Sequence, residues 1–443
     1  MTPTESPIPS RRELLRRSGV LAVVTKRPDA SEEASAEDAF DIHVCLTEEG
    51  GVYAFNGHVD LGTGIRTALA QVVAEELDVP LDSVTVILGD TDNAPDQGPT
   101  IASETMQVTA KPLRIAAAQA RLHLVALASG VLEQSIKDLA TRDGMVRGVS
   151  DADVAIAFSA LLENRRIHLV LDRTTELKPV SEHRVIGRPI NRVDIPAKAT
   201  GRFVYVHVVR VPGMLHGRVV RPPYSGIDGG EFIGRSLVAV DRASVAHIPG
   251  IVGVVVEGDF IGVVAEREEY AAEAAACLKV TWKPWATGSD LGDLQKALRA
   301  APIQSRRLID EGDVDAALAA ADKRLDRAYV WPYQMHGSIG PSCAVAEFKA
   351  DRVTVWSGTQ NPYPLRADIA LLTGLPEANI EVVRAEAAGC YGRNCADDVA
   401  ADAVLLARAV GRPVRVQLTR EQEHMWEPKG RSEERRVGKE CLE

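Results

Sequence analysis

The chain has 443 residues, 45% of them hydrophobic and 26% charged, which is enough for two or three domains with sizeable cores. A net charge of −11 with no basic stripe argues against nucleic-acid binding. The six cysteines form no Cys-x-x-Cys pair, so neither a disulfide framework nor a zinc or iron–sulfur site is legible, and no run of eighteen apolar residues marks a membrane span.

Residues 1–39 read as a signal-like segment and linker. Ser10-Arg11-Arg12 followed by Leu14-Leu15 has the twin-arginine beginning of an export signal. The apolar part, Gly19 to Val24, is only six residues, Lys26 and Arg27 close it, and no small-residue cleavage site follows. A short amphipathic lead on a cytoplasmic protein is therefore the expectation. A periplasmic or inner-membrane-associated location through a working signal is the alternative. Order is expected from Phe40. GVYAFNGHVDL alternates apolar and polar residues as a half-buried strand does, and after Gly62-Thr63-Gly64 the period changes. Ile65, Ala68, Leu69, Val72, Val73 and Leu77 then fall on one helical face. SVTVIL is strand again, the loop from Gly89 to Thr100 is too rich in Pro, Gly and polar residues to be an element, and a long helix runs from about Ser103 to Leu132.

Residues 133–180 mix short patterns. From Val185 a second domain opens, with two strands around Pro212-Gly213, then strand, helix Glu268–Cys277 and strand up to Trp282. A third region follows from Leu325, with strands around AYVWPYQM, AVAEF and VTVWS, a helix from Leu365 to Leu372, strand IEVV, a Gly-rich loop, helix Asp397 to Val410 and strand VRVQL. The predicted fold class is α/β (α+β), with segments 40–180, 181–290 and 291–430. The end, RSEERRVGKEC at 431–441, has no periodicity, cap or turn signal. It reads as a solvated charged tail or, because one codon string that encodes it resembles a sequencing-library adapter, as a translated adapter; the second is the expectation, with the gene continuing past Gly430.

Four loops could carry chemistry. Gly62-Thr63-Gly64 precedes a helix whose free N–H groups could cradle an anion, although glycines there can simply make the turn. The loop ending in Ala102 and Ser103 is longer than idle loops usually are; Ser103 could cap the helix or offer its hydroxyl to a ligand. Gly389 and Gly392 bracket Cys390 and Tyr391, a pattern that lets backbone approach a flat ligand, while Asp397 or Asp398 could cap the helix that follows. Gln360, in GTQNP, could donate its amide N–H from a strand end or fill a turn. His58 and His336 read as satisfied core histidines, and His43, His207 and His216 lack the spacing of a metal site. No protein metal site is expected.

Together these segments resemble the molybdopterin-binding large subunit of the xanthine dehydrogenase/aldehyde oxidase family, in the branch of the large subunits of isoquinoline 1-oxidoreductase and nicotinate dehydrogenase. The resemblance rests on HVDLGTGIRTALAQVVAEELDV, PDQGPTIASETMQVTA, RPINRVDIPAKATGRFVYV with VPGMLHGRVVRPP, QMHGSIGPSCAVA, GTQNP and GCYGRN. It implies molybdopterin-binding segments flanking an α/β hammerhead domain at 181–290, in the permuted order of that branch. It implies a molybdenum–molybdopterin cytosine dinucleotide cofactor, with Gly62, Thr63, Gly64, Ala102 and Ser103 along the pterin. Gln360 would face an oxo group, and Gly389, Cys390, Tyr391 and Gly392 would lie near the metal. The implied reaction hydroxylates an N-heteroaromatic compound with oxygen from water. Electrons would leave through a small [2Fe–2S] subunit, with a cytochrome c as a further candidate acceptor. The catalytic base, a glutamate near the family's C-terminus, has no counterpart before Gly430. Thr63 stands where the family has glutamine and Cys395 where it has a substrate-binding glutamate, which argues against a purine oxidase. An aldehyde substrate and a non-catalytic cofactor- or partner-binding relative remain alternatives.

Overall fold

A computed structural model describes residues 8–27, 35–151, 153–223, 236–284, 292–331, 335–392 and 398–426. The expectations for Cys395 and Asp397, the Asp398 side chain and the tail at 431–443 lie outside them.

The first half is built on a five-stranded sheet in the order Val84–Leu88, Val52–Asn56, Phe40–Thr47, Val20–Lys26, Arg166–Val170. Here the structure departs from the expected signal-like lead and linker. Val20–Lys26 is an inner strand, antiparallel to Phe40–Thr47 and parallel to Arg166–Val170. Its side chains alternate: Leu21 and Val23 enter one core with the helices Ile65–Leu77 and Ala110–Leu132, whereas Val20, Ala22 and Val24 enter another with Leu14 and Leu15. Because both faces are buried, the strand shows a continuous apolar run and no period of two. A register shift between Val23 and Val24 lets Val24 pair with Ile42 on the second face, while Val23 pairs with Val44 on the first.

The helix Ala110–Leu132 is the spine of the first core, where Leu113, Ala116, Ala117, Ala120 and Leu124 are fully buried. With its lead-in, Thr105–Leu132 is long and apolar enough by composition to cross a bilayer, but here that apolar face is spent on the sheet. The lead-in Thr105–Thr109 is a turn of π-helix, a local widening that often marks functional sites.

The second sheet has seven strands in the order Ile251–Glu257, Phe260–Ala265, Leu215–Val219, Val414–Gln417, Cys343–Lys349, Arg352–Ser357, Ile380–Arg384. Strands from both sides of residue 290 belong to it: Leu215–Val219 runs parallel to Val414–Gln417, with Leu215 opposite Val414. The expected separation of 181–290 from 291–430 therefore does not hold at the level of the sheet. Gly217 and Gly262 make the fit possible, since a Cβ on either would lie 2.7 or 2.5 Å from a Leu406 methyl carbon of the helix Asp398–Val410. Among the described residues, the expected strands over Gly201–Val211 and around Tyr329 are absent. The first carries only a short 3-10 turn at Val206–Val208, and residues 328–331 are exposed coil.

Candidate functional site

The loop expected to be functional, Gly89 to Thr100 running into Ala102 and Ser103, is the seam between the two halves. Thr91 donates its N–H to the Val382 carbonyl (3.2 Å) and accepts the Val382 N–H on its hydroxyl (2.9 Å). The Tyr363 hydroxyl donates to the Ala94 carbonyl, and burial pushes that phenol's pKa well up. Thr100 and Gln360 are doubly joined: the Thr100 N–H donates to the Gln360 carbonyl (3.0 Å), and the Gln360 amide donates back to the Thr100 carbonyl (3.1 Å).

This seam opens into a cleft of about 790 Å³. One wall is Val59, Leu61, Thr63 and Ile65; the floor is Pro99 to Ser103 with Thr105 and Met106; the far wall is Gln360, Asn361, Pro364, Cys390 and Gly392. Residues of all four loops singled out in the sequence thus meet in one place. Thr63, Ala102, Ser103, Gln360, Cys390 and Gly392 line it, whereas Gly62, Gly64, Gly389 and Tyr391 stand behind or beside the wall. No described lining residue carries a charged side chain. The surface is apolar with scattered hydroxyl, amide and backbone groups, the make-up of a small-molecule site.

Two features of the floor are costly in isolation. Ala102 and Ser103 are consecutive non-glycine residues in the left-handed region (φ 48° and 59°), and such positions persist where surrounding structure over-determines them. The supports lie underneath. His58, fully buried, meets the Thr105 hydroxyl with Nδ1 (2.8 Å) and the Gln97 carbonyl with Nε2 (3.2 Å). A carbonyl can only accept, so Nε2 carries the proton and Nδ1 accepts from Thr105; burial lowers the imidazole pKa in keeping with that neutral form. Asn56 donates its amide to the Thr109 carbonyl (3.1 Å) and hydroxyl (3.2 Å). These bonds grip the π-helical turn at both ends. The sequence expectation for His58 as a satisfied core histidine agrees with this arrangement.

The anion cradle expected at Gly62-Thr63-Gly64 is filled by the protein itself. The buried Asp60 carboxylate accepts from the N–H groups of Gly62 (2.8 Å), Gly64 (3.3 Å) and Arg66 (3.1 Å). These N–H groups are therefore not free for a ligand phosphate, because a resident anion already satisfies the helix terminus. Sequence reasoning missed Asp60, although Asp two residues before Gly is the spacing of an Asx-turn. It also missed Arg384, which donates to the Asp60 carbonyl (3.1 Å) and the Thr359 carbonyl (3.0 Å) and so pins the glycine wall to the Gln360 wall. Ser103 caps nothing: the π-turn follows Glu104, and no side-chain cap is made.

Gly389 and Gly392 have φ of 111° and 127°, and a Cβ on Gly392 would lie 2.6 Å from the His336 ring. The loop is thus closed behind the cleft by tight packing, with Tyr391 turned outward and 54% exposed.

Fold and cleft define a cofactor-binding α/β protein whose site is assembled from loops distant in sequence. Residues 9–194 and 299–437 each match the molybdopterin cofactor-binding domain, and across these two stretches, which together make up most of the chain, it belongs to the molybdopterin cofactor-binding domain family. It is 55% identical over 432 residues to the B subunit of nicotinate dehydrogenase from Pseudomonas putida, covering 96% of this chain and 36% of that protein. It is 27% identical over 420 residues to the β subunit of isoquinoline 1-oxidoreductase from Brevundimonas diminuta, covering 82% of this chain and 52% of the relative. The chain thus spans between about a third and a half of these relatives' length. Among solved structures, quinoline 2-oxidoreductase from Pseudomonas putida 86 is similar over 54% of this chain and 35% of its own, with a TM-score of 0.43 and 20% identity.

Proposed function

We propose that this chain forms part of the large subunit of a molybdenum hydroxylase acting on a nicotinate-like N-heteroaromatic compound. The observation that carries the reading is the convergence of Thr63, Ser103, Gln360 and Cys390 on one uncharged cleft. The residues fit a pterin. The walls offer neutral donors and acceptors to a heterocycle edge, and Val59, Leu61, Ile65 and Pro364 supply apolar surface for its faces.

When bound, the molybdenum–pterin group supplies two-electron redox chemistry with water as the oxygen source. The chain's own residues bind and orient. Ser103 presents its hydroxyl from a floor fixed by His58 and Asn56, where Thr105 gives its hydroxyl proton to His58 and offers a ligand only acceptor lone pairs. Gln360 is held by Thr100 so that its side chain stays at the wall, and the apolar residues keep bulk water from the ligand's faces. We assign the cytosine dinucleotide form of the cofactor, a small [2Fe–2S] partner as electron acceptor and a cytochrome c beyond it as finer parts of the same reading. What supports them is the 55% identity to a nicotinate dehydrogenase. A cytoplasmic location is supported by the engagement of Arg11, Leu14 and Leu15 in the fold, since an export signal must be free to bind its receptor.

The test is a chimera in which this chain replaces the matching stretch of the Pseudomonas putida relative. The chimera should purify with molybdenum and pterin and reduce a dye with nicotinate and not with a purine. A chimera holding molybdenum but inactive on nicotinate refutes the substrate, and activity on an aliphatic aldehyde alone would replace it. A folded chimera without molybdenum refutes the cofactor reading.

A further inference from the structure

The segment Arg192–Val206 contributes nothing to the cleft lining, yet it is bonded to the chain segments that carry both walls. At one end the Arg192 guanidinium donates to the Gly62 carbonyl (2.6 Å), and the Val193 N–H donates to the Thr67 hydroxyl (3.0 Å), which ties the segment to the glycine wall. At the other end the Val206 N–H donates to the Glu386 carbonyl (2.8 Å), four residues before Cys390 of the far wall. Between the ends runs a chain of alternating charges. Arg192 holds Asp194 through both carboxylate oxygens (3.0 and 2.5 Å), Asp194 holds Lys198 (2.6 Å), and Lys198 holds Glu386 (2.7 Å). The Asp194 and Glu386 side chains are only 3% and 8% exposed. The Lys198 ammonium also lies over the Phe203 ring, 4.6 Å from its centre.

We propose that Arg192, Asp194, Lys198 and Glu386 form an ionic clasp that sets the separation of the two cleft walls, with Asp194 as its central positioning residue. An isolated surface pair would do little. Here the geometry is different: Asp194 is shared by two cations that reach opposite walls, so neutralising it leaves Arg192 and Lys198 facing each other without their common anion. The clasp acts on the cleft whatever heterocycle occupies it, so its failure and that of the proposed function are separate events.

Amide hydrogen exchange on the full chain, without cofactor, tests it. In Asp194→Asn and in Lys198→Met, exchange should rise at least tenfold on both walls, at the amides of Gly64 and Arg66 and at that of Gly340, which donates to the Ala388 carbonyl. The strands Val20–Lys26 and Cys343–Lys349 should keep the parent rate. Lys198→Arg, which preserves the charge, should restore parent exchange at both walls. Should Asp194→Asn not fold, Glu386→Gln, which leaves an acceptor facing Lys198, carries the same comparison. Unchanged exchange, a rise on one wall alone, a uniform rise across both sheets, or no rescue by Lys198→Arg would each overturn the clasp.

Discussion

Removal of the Asp60 carboxylate should release the first turn of the helix Ile65–Leu77 and with it the glycine wall. Asp60 is 2% exposed and accepts three N–H groups. Their fates differ without it. Gly62 is exposed and can turn to water, whereas Gly64 is buried and Arg66 is half-buried. An unsatisfied buried donor costs roughly 1–3 kcal/mol, and a hydrogen bond to a charged acceptor contributes about 1.5–3 kcal/mol. Loss of a negative charge beside a helix N-terminus adds about 0.3–1 kcal/mol. With water compensating part of this, Asp60→Ala should lower the local opening free energy by about 3–4 kcal/mol. At about 1.4 kcal/mol per factor of ten, that is two to three decades in amide exchange. Asp60→Asn keeps one acceptor oxygen but turns an amide donor toward another N–H, and should cost about 1–2 kcal/mol. The assay is residue-resolved exchange at Gly64 and Arg66. Protection in Asp60→Ala within threefold of the parent would refute the view that this carboxylate organises the loop.

Other expectations follow from the same contacts. His43 is 4% exposed, and burial, with a smaller effect from Arg173, brings its pKa to about 4. The fold thus disfavours the protonated ring, so stability is full above about pH 6.5 and falls as pH drops toward about 4, where the folded state also takes up the proton. The interval corresponds to roughly 3 kcal/mol at about 1.4 kcal/mol per pH unit. His43→Gln should flatten this acid limb in urea titrations at a series of pH values, and an unchanged slope would contradict it. Arg11 donates to the carbonyls of Asp92 (3.0 Å), Glu37 (2.5 Å) and Phe40 (2.5 Å) while 1% exposed. Arg11→Met should cost about 3 kcal/mol or more and make the Gly89–Ser103 loop the first site of limited proteolysis. A Cβ on Gly57 would lie 2.1 Å from the Pro95 carbonyl oxygen, which is backbone and cannot swing aside. Gly57→Ala should therefore lower stability by about 2 kcal/mol or more, read from the thermal midpoint.

Much of the cleft is legible in the sequence because its parts are local. The change of period after Gly64 marks a helix, and Leu69, Val72, Val73 and Leu77 are its buried face. The strand-and-helix run from Cys343 to Gln417 is legible nearly as it stands, with helix Pro362–Thr373 three residues longer at its start. What fails is what depends on remote partners. Six apolar residues between arginines and lysines look like a curtailed signal, and only the sheet that receives Val20–Lys26 makes them a strand. Gly62 to Gly64 look like an open cradle until Asp60 is placed in it. The π-turn at Thr105–Thr109 has no composition of its own; it is held by Asn56 and His58, at and just past a strand end, 53 and 47 residues earlier. The clasp joins residues nearly two hundred positions apart, and no window of sequence shows Asp194 and Glu386 as neighbours of one lysine.

The parallel pairing of Leu215–Val219 with Val414–Gln417 has a consequence for synthesis. The two strands are about 200 residues apart in the chain, and translation proceeds at about 5–20 residues per second, so the earlier strand waits roughly 10–40 s for its neighbour. During that wait its far side offers unpaired N–H and C=O groups beside Leu215 and Val219, which are buried only once the sheet is complete. Phe260–Ala265 arrives sooner and covers the other side. The nascent protein therefore carries a half-finished sheet with one open edge while residues 220–414 are added, and the rate of translation through them sets how long that edge is available to a wrong partner.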